Sequence, residues 1–235
     1  MKVIIDHEKL RRRAAASHAA SLGGMLTMLG GVVLPLIDQS LATLAAVLLF
    51  LGFAAATTGI YFANRWVRKP RPEEVLDQAL KGLDDRHRLY HYLPGGPPHL
   101  LLSPSGLVLL ETRSGEGYFM FQDGRWRQKI TLGKALRFFV EEPLGDPIAE
   151  AHNAAERLQA VLAAKMEGGD QVRVSPVVVF THPAAVLQVK GAAIPVCQPK
   201  QLRGLLPKSR QPLSASIHEG MQTLLDSGKP FSAPG

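Results

Sequence analysis

Glu111 and Arg113 stand two residues apart at the end of "GLVLLETR" (Gly106 to Arg113), a run that is otherwise almost wholly apolar. In an extended strand, residues i and i+2 point to the same side, so an acid and a base share one face. Charged side chains are seldom buried without a partner. Two chemistries are open to such a pair. The acid and base can close an internal ion pair, or the acid can hold a divalent ion while the cation steadies a phosphate. The second needs more than one acid, because a Mg²⁺ site uses one or two carboxylates together with waters and substrate phosphates. Arg113 cannot serve as a base, since a guanidinium keeps its proton below about pH 12.

Other constellations are weaker. His87, His91 and His99 fall close together, but a zinc site needs four ligands and Cys197, the lone cysteine, is distant in sequence. With one cysteine no internal disulfide can form. "GRWRQK" (Gly124 to Lys129) interleaves Arg125, Arg127 and Lys129 with Trp126. That mixture can meet nucleic acid by charge and stacking, or form a solvated hairpin with the indole turned inward. "SGEGYF" has glycines but not the strand, loop and helix order of a phosphate loop.

The elements that must hold these residues can be read in order. "EEVLDQALKGL" (Glu73 to Leu83) places Val75, Leu76, Ala79, Leu80 and Leu83 on one helical face, and Pro72 suits its first turn. "RLYHYL" (Arg88 to Leu93) alternates like a strand. "HLLL" and "LVLLE" are strands split by the turn "SPSG", and "GYFMF" and "RWRQKI" flank the hairpin signal Asp123-Gly124. "DPIAEAHNAAERLQAVLAAKM" (Asp146 to Met166) predicts a long helix capped by Asp146 with Pro147 in its first turn. "VRVSPVVVF" (Val172 to Phe180) predicts a buried strand, "IPV" (Ile194 to Val196) a short one, and two helices close the chain. This order predicts an α/β domain: a mixed sheet flanked by helices.

"HLLLSPSGLVLLETR" resembles the core of the NERD (nuclease-related) domain, whose pattern is Asp-His, an apolar triplet, a Gly/Pro/Ser turn and an apolar strand ending in Glu-Thr-Lys. "PEEVLDQALKGL" resembles that family's leading helix, "DPIAEAHNAAERL" its long helix and "VSPVVVF" its later strand, in family order over roughly residues 73–206. The resemblance implies a restriction-endonuclease-like fold of the PD-(D/E)xK group. There an Asp and a Glu hold a metal ion, a Lys stabilises charge, and an acid on the first helix can assist. In this chain the Asp position falls on Pro98, the His on His99, the Glu on Glu111 and the Lys on Arg113. The helix acid falls on Glu73, the family's Gln falls near Glu150, and Asn153 keeps a later Asn. Glu111, Arg113 and Glu73 are thus the candidate catalytic remnant, with Glu111 and Glu73 the metal ligands if the site is active. No cofactor is expected; Mg²⁺ or Mn²⁺ enters only with the nuclease reading. Candidate nucleic-acid contacts are His99, Arg113, Arg125, Trp126 and Arg127.

The N-terminal third is different in kind. Residues 14–37 and 41–63 contain no Asp, Glu, Lys or Arg, and each is long enough to cross a hydrocarbon core of roughly 30 Å. "DQS" (Asp38 to Ser40) leaves room only for a tight turn, so the expectation is a two-helix transmembrane hairpin. The first span is long for a signal-peptide core, and a second span follows it at once. Arg11, Arg12 and Arg13 precede the pair and Arg65, Arg68, Lys69 and Arg71 follow it, which places both flanks in the cytoplasm. The net charge is +7, but residues 1–72 hold nine Lys/Arg against three Asp/Glu, while the rest of the chain is nearly balanced. Bulk charge therefore does not mark the soluble domain as a phosphate-backbone binder.

The expected organisation is a basic N-terminus (1–13), spans at 14–37 and 41–63, a juxtamembrane linker (64–72), a NERD-like domain (73–228) and a flexible tail (229–235). The expected protein sits in the inner or plasma membrane, passes it twice and has both termini in the cytoplasm. Its domain has lost nuclease chemistry and binds nucleic acid or a protein partner. The alternatives are an active Mg²⁺- or Mn²⁺-dependent nuclease and a membrane scaffold with no nucleic-acid role. Glycines in the first span also offer a surface for self-association in the bilayer.

Overall fold

The computed structural model describes residues 1–67, 69–129, 144–207 and 212–228. The proposed tail, 229–235, lies outside the described residues. The chain divides into two compact units: a helical one, His7–Arg71, and an α/β one that joins Met1–Asp6 to the described residues from Pro72 onward.

In the helical unit, α1 (His7–Ile37) and α2 (Ala42–Trp66) run either side of a short turn. Asp38 caps that turn by accepting from the Ser40 amide at 2.8 Å. At 1.5 Å per residue the helices are about 46 Å and 37 Å long, more than a bilayer core requires. The helix α1 starts seven residues before the apolar run, because the basic flank is itself helical: Glu8 and Arg12 pair at 2.5 Å one turn apart. Arg13 lies over the Trp66 ring at 4.4 Å, tying the two polar ends of the hairpin together. The helices meet backbone to backbone. A Cβ on Gly59 would stand 2.3 Å from the Ser21 amide nitrogen, and one on Gly24 2.4 Å from that of Ala56. Gly23 and Gly30 face open space instead. Leu26, Leu36, Phe50 and Phe53 are exposed, so the outer surface of the pair is hydrocarbon. Both helices are long and apolar enough to cross a membrane.

The α/β unit is built on a six-stranded sheet in the order β1-β2-β3-β4-β7-β9. Its strands are β1 (Lys2–Ile5), β2 (Arg88–His91), β3 (His99–Ser103), β4 (Gly106–Arg113), β7 (Val174–Phe180) and β9 (Val196–Cys197). A second, three-stranded sheet holds β6 (Arg125–Gln128), β5 (Gly117–Gln122) and β8 (Ala185–Val189), in that order. The helices are α3 (Pro72–Leu80), α4 (Pro147–Lys165), α5 (Pro199–Leu205) and α6 (Ala215–Asp226).

Alternation sorts the large sheet into two cores. Leu100, Leu102, Leu107 and Leu109 pack with Ala151, Leu158 and Leu162 of α4 and Met221 and Leu225 of α6. Leu89, Leu101, Val108 and Leu110 pack with Leu76 and Leu80 of α3 and Leu202 of α5. A mixed sheet covered on both faces is thus present, as expected, with apolar strands to match.

Two turns are set by backbone chemistry. At the β3–β4 turn, Gly106 has φ of 129° and a Cβ there would meet the Arg173 carbonyl oxygen at 2.5 Å, so only glycine fits. Asp123 and Gly124 both have positive φ, the requirement of a two-residue hairpin turn, and they join β5 to β6. The long helix begins as expected, with Asp146 accepting from the Ala149 amide at 3.1 Å and Pro147 in the first turn.

Two strands were not anticipated. Residues 2–5, read from sequence only as part of a basic flank, form β1 and extend the sheet by parallel pairing with β2. β8 follows β7 and pairs in parallel with β5, so the Asp123-Gly124 hairpin belongs to a separate small sheet.

Candidate functional site

Glu111 and Arg113 share the β4 face that carries Leu107 and Leu109, the side on which α4 packs. Arg113 is buried, at 6% exposure. Its Nη1 donates to the Glu111 carboxylate and, at 3.0 Å, to the Thr112 carbonyl oxygen. Its Nη2 meets Glu150 Oε2 at 2.5 Å, and its Nε donates to the Leu144 carbonyl oxygen at 3.1 Å. Every edge of the guanidinium is engaged. Burial works against its charge, but Glu111 and then Glu150 outweigh that and hold its pKa above the usual range. The sequence placed Glu150 only as a substitute for a family residue. Its role as the second acid on Arg113 follows from the seating of α4 over the end of β4.

A cleft of about 680 Å³ opens beside this pair, lined among others by Pro97, Pro98, Glu111, Glu150, Asn153 and Arg157. Pro98 lies at its wall, where the family pattern has an acid, and offers no side-chain donor.

Glu73 is placed elsewhere. It is buried on α3, on the opposite face of the sheet, and accepts from the Tyr92 hydroxyl at 2.6 Å. Beside it runs a second polar chain. His91 Nε2 lies 3.1 Å from Asp77 Oδ1, and His91 Nδ1 lies 2.7 Å from His99 Nδ1. A neutral His91 that donates Nε2–H to Asp77 accepts at Nδ1 from His99 Nδ1–H, whereas an imidazolium donates from both nitrogens. The Tyr92 ring meets His99 edge-on, with centroids 5.2 Å apart. Glu73 and Asp77 are four residues apart on one helix, and that spacing was the sequence signal for their shared surroundings.

The remaining candidates divide cleanly. His99 and Arg113, proposed as nucleic-acid contacts, are buried. Trp126 turns inward, its ring 5.1 Å from Phe121 and 5.7 Å from Phe180, so its faces are committed to protein. Arg125 and Arg127 are exposed on β6. His87 pairs with Asp84 at 2.5 Å, apart from the His91–His99 contact, and Cys197 is buried on β9. Among the described residues, no group of three or more His, Cys, Asp or Glu is arranged to hold a metal ion.

A mixed sheet flanked by helices, with an acid and a base ending the second strand of its central hairpin, is the arrangement of a nuclease-like α/β domain. Residues 71–181, just under half of the chain, match the family model described as nuclease-related domain, NERD. The two long apolar helices precede it. The chain matches no curated protein and no solved structure.

The donor set does not suit the divalent ion that the resemblance implies. The first acid is Pro98, the two carboxylates at the strand end are held by a permanent cation, and Glu73 is carried on the far face of the sheet.

Proposed function

We propose that this chain anchors a catalytically silent nuclease-related domain to a membrane, where the domain acts by binding nucleic acid or a protein partner at the cytoplasmic face. The observation that carries the loss of catalysis is the placement of Arg113 between Glu111 and Glu150. A guanidinium there already neutralises the oxygens that a metal ion would need, and it stays charged at any working pH.

The anchoring rests on the hairpin and on β1. Because β1 and the NERD domain share one sheet, the chain must return across the bilayer to the side on which it began. Two spans accomplish that. The basic residues at both flanks favour the cytoplasm for that side.

The test uses the full chain in lipid nanodiscs, incubated with single- and double-stranded DNA and RNA in Mg²⁺ or Mn²⁺. The expected result is no cleavage beyond that of a Glu111→Gln control. Metal-dependent cleavage that disappears in Glu111→Gln overturns the proposal.

A further inference from the structure

The outward face of the small sheet is chemically one-sided. Phe119, Phe121, Trp126 and Leu187 point inward to the core. Alternation therefore turns Tyr118, Met120 and Gln122 of β5, Arg125 and Arg127 of β6, and Val186 and Gln188 of β8 to the other side. Lys129 and Lys190, one residue past their strands, continue the pattern, and Lys129 Nζ lies 5.1 Å from the Tyr118 ring centroid. Arg125, Arg127, Lys129 and Lys190 are all exposed. None of these outward positions carries a carboxylate; Glu116 and Asp123 lie in the loops beyond the strand ends. Four cations around a tyrosine, a methionine and an exposed valine make a surface for phosphates bordering on hydrocarbon.

Topology says which phosphates are near. The strands β1, β2, β4 and β7 all run in one direction, so their carboxyl ends share one edge of the large sheet. The small sheet grows from that edge, since β5 follows β4 and β8 follows β7. The chain also leaves for α1 there, with only Asp6 between β1 and the helix. It re-enters there through Pro72, because the neighbouring Glu73 meets Tyr92 just beyond β2. Five residues, Val67 to Arg71, join α2 to α3 and reach at most about 18 Å. Both tethers thus leave the domain at the edge that bears the basic face, which keeps the local concentration of headgroups high.

We infer that this face, centred on Arg125, Arg127, Lys129 and Lys190, docks on anionic phospholipid headgroups of the membrane that holds the hairpin. The inference rests on the anchoring proposed above.

The experiment places an environment-sensitive fluorophore at Val186→Cys in the full chain. Cys197 is buried, and desolvation pushes its thiol up to about 11, so it leaves the introduced cysteine as the labelled one. The protein is reconstituted in nanodiscs of phosphatidylcholine alone or with phosphatidylglycerol. The expected result is a blue-shifted, brighter probe, quenched by headgroup-labelled lipid, only in anionic discs. Rising salt reverses it, and each cation changed to Gln lowers the docked fraction's ratio about fivefold. A probe at Asp170→Cys, at the opposite edge of the sheet, stays unchanged, and an unaltered thermal midpoint shows that the Gln variants fold. A probe indifferent to anionic lipid overturns the inference. So does a probe that responds to a single-stranded oligonucleotide in neutral discs but not to anionic lipid, because the face then reads nucleic acid. A chain that never enters the discs defeats the anchoring itself, which separates the two failures.

Discussion

Two polar clusters flank the same sheet, and they are built from different groups. On the α4 side, Arg113 is clamped between Glu111 and Glu150, and its charge cannot be removed within the working pH range. On the α3 side, Tyr92 donates to Glu73, His91 bridges Asp77 and His99, and the Tyr92 ring meets His99 edge-on. The first cluster is an ion-pair clamp at the end of β4. The second is a set of hydrogen bonds and ring contacts in which each imidazole nitrogen donates or accepts according to its tautomer. A clamped ion pair and a network of hydroxyl, imidazole and carboxylate groups fail differently when one member is lost.

Removing Arg113 breaks the comparison most severely. Arg113→Met leaves Glu111 and Glu150 facing each other without their cation, and the expected loss is about 3–5 kcal/mol. Thermal or denaturant unfolding of the full chain in nanodiscs reads it. Adding Glu111→Gln to that variant should restore part of the loss, since the charge that Arg113 had met is then gone from β4. If Arg113→Met alone is neutral, the clamp is not what stabilises the strand end.

Tyr92→Phe should cost less, about 1.5–3 kcal/mol, because it deletes one hydrogen bond to a carboxylate and leaves the ring in place. An effect as large as that of Arg113→Met would mean that the α3 cluster behaves as an ion-pair centre after all.

Chemical reactivity sharpens the contrast between buried and exposed groups. Burial raises the Cys197 thiol to about 11, so at pH 8 it should resist alkylation in the folded chain and react quickly once unfolded. A folded pKa above the unfolded value means a contribution to stability that is present below about pH 9 and lost as pH rises through about 11. Fast labelling of native protein at pH 8 would contradict the burial of β9.

The smallest effect belongs to an exposed acid. Hydrogen bonds from Arg86 and His87 hold the Asp84 carboxyl down to about 2. Its contribution is therefore present above the unfolded carboxylate range, near pH 4, and fades as pH falls through about 2. Asp84→Asn should flatten the acid limb of an unfolding titration only slightly, because water screens this pair. A change rivalling Tyr92→Phe would show that the loop is more enclosed than its exposure indicates.

Much of the frame was legible because it is local. The Ser103–Gly106 turn, the Asp123-Gly124 turn and the Asp146-Pro147 helix start are written in a few adjacent residues, and each forms where it was expected. The shared face of Glu111 and Arg113 follows from strand periodicity alone. The edge strand β1 was missed because its partner lies more than eighty residues away, and four residues carry too little pattern to announce a parallel pairing. The inward turn of Trp126 was left open because alternation gives two faces without saying which one is covered.

Sequence by itself settled which side chains travel together: apolar runs, caps, turns and the acid and base that share a strand face. These depend on backbone periods that any chain obeys. Tertiary structure alone decided which helix covers which face, and with it the fate of the charges. Glu150 came to Arg113 because α4 packs on one side of β4, and Glu73 was drawn to Tyr92 because α3 packs on the other. Periodicity sets a side chain's direction relative to its own element, whereas a charge is satisfied by whatever the rest of the fold brings to meet it.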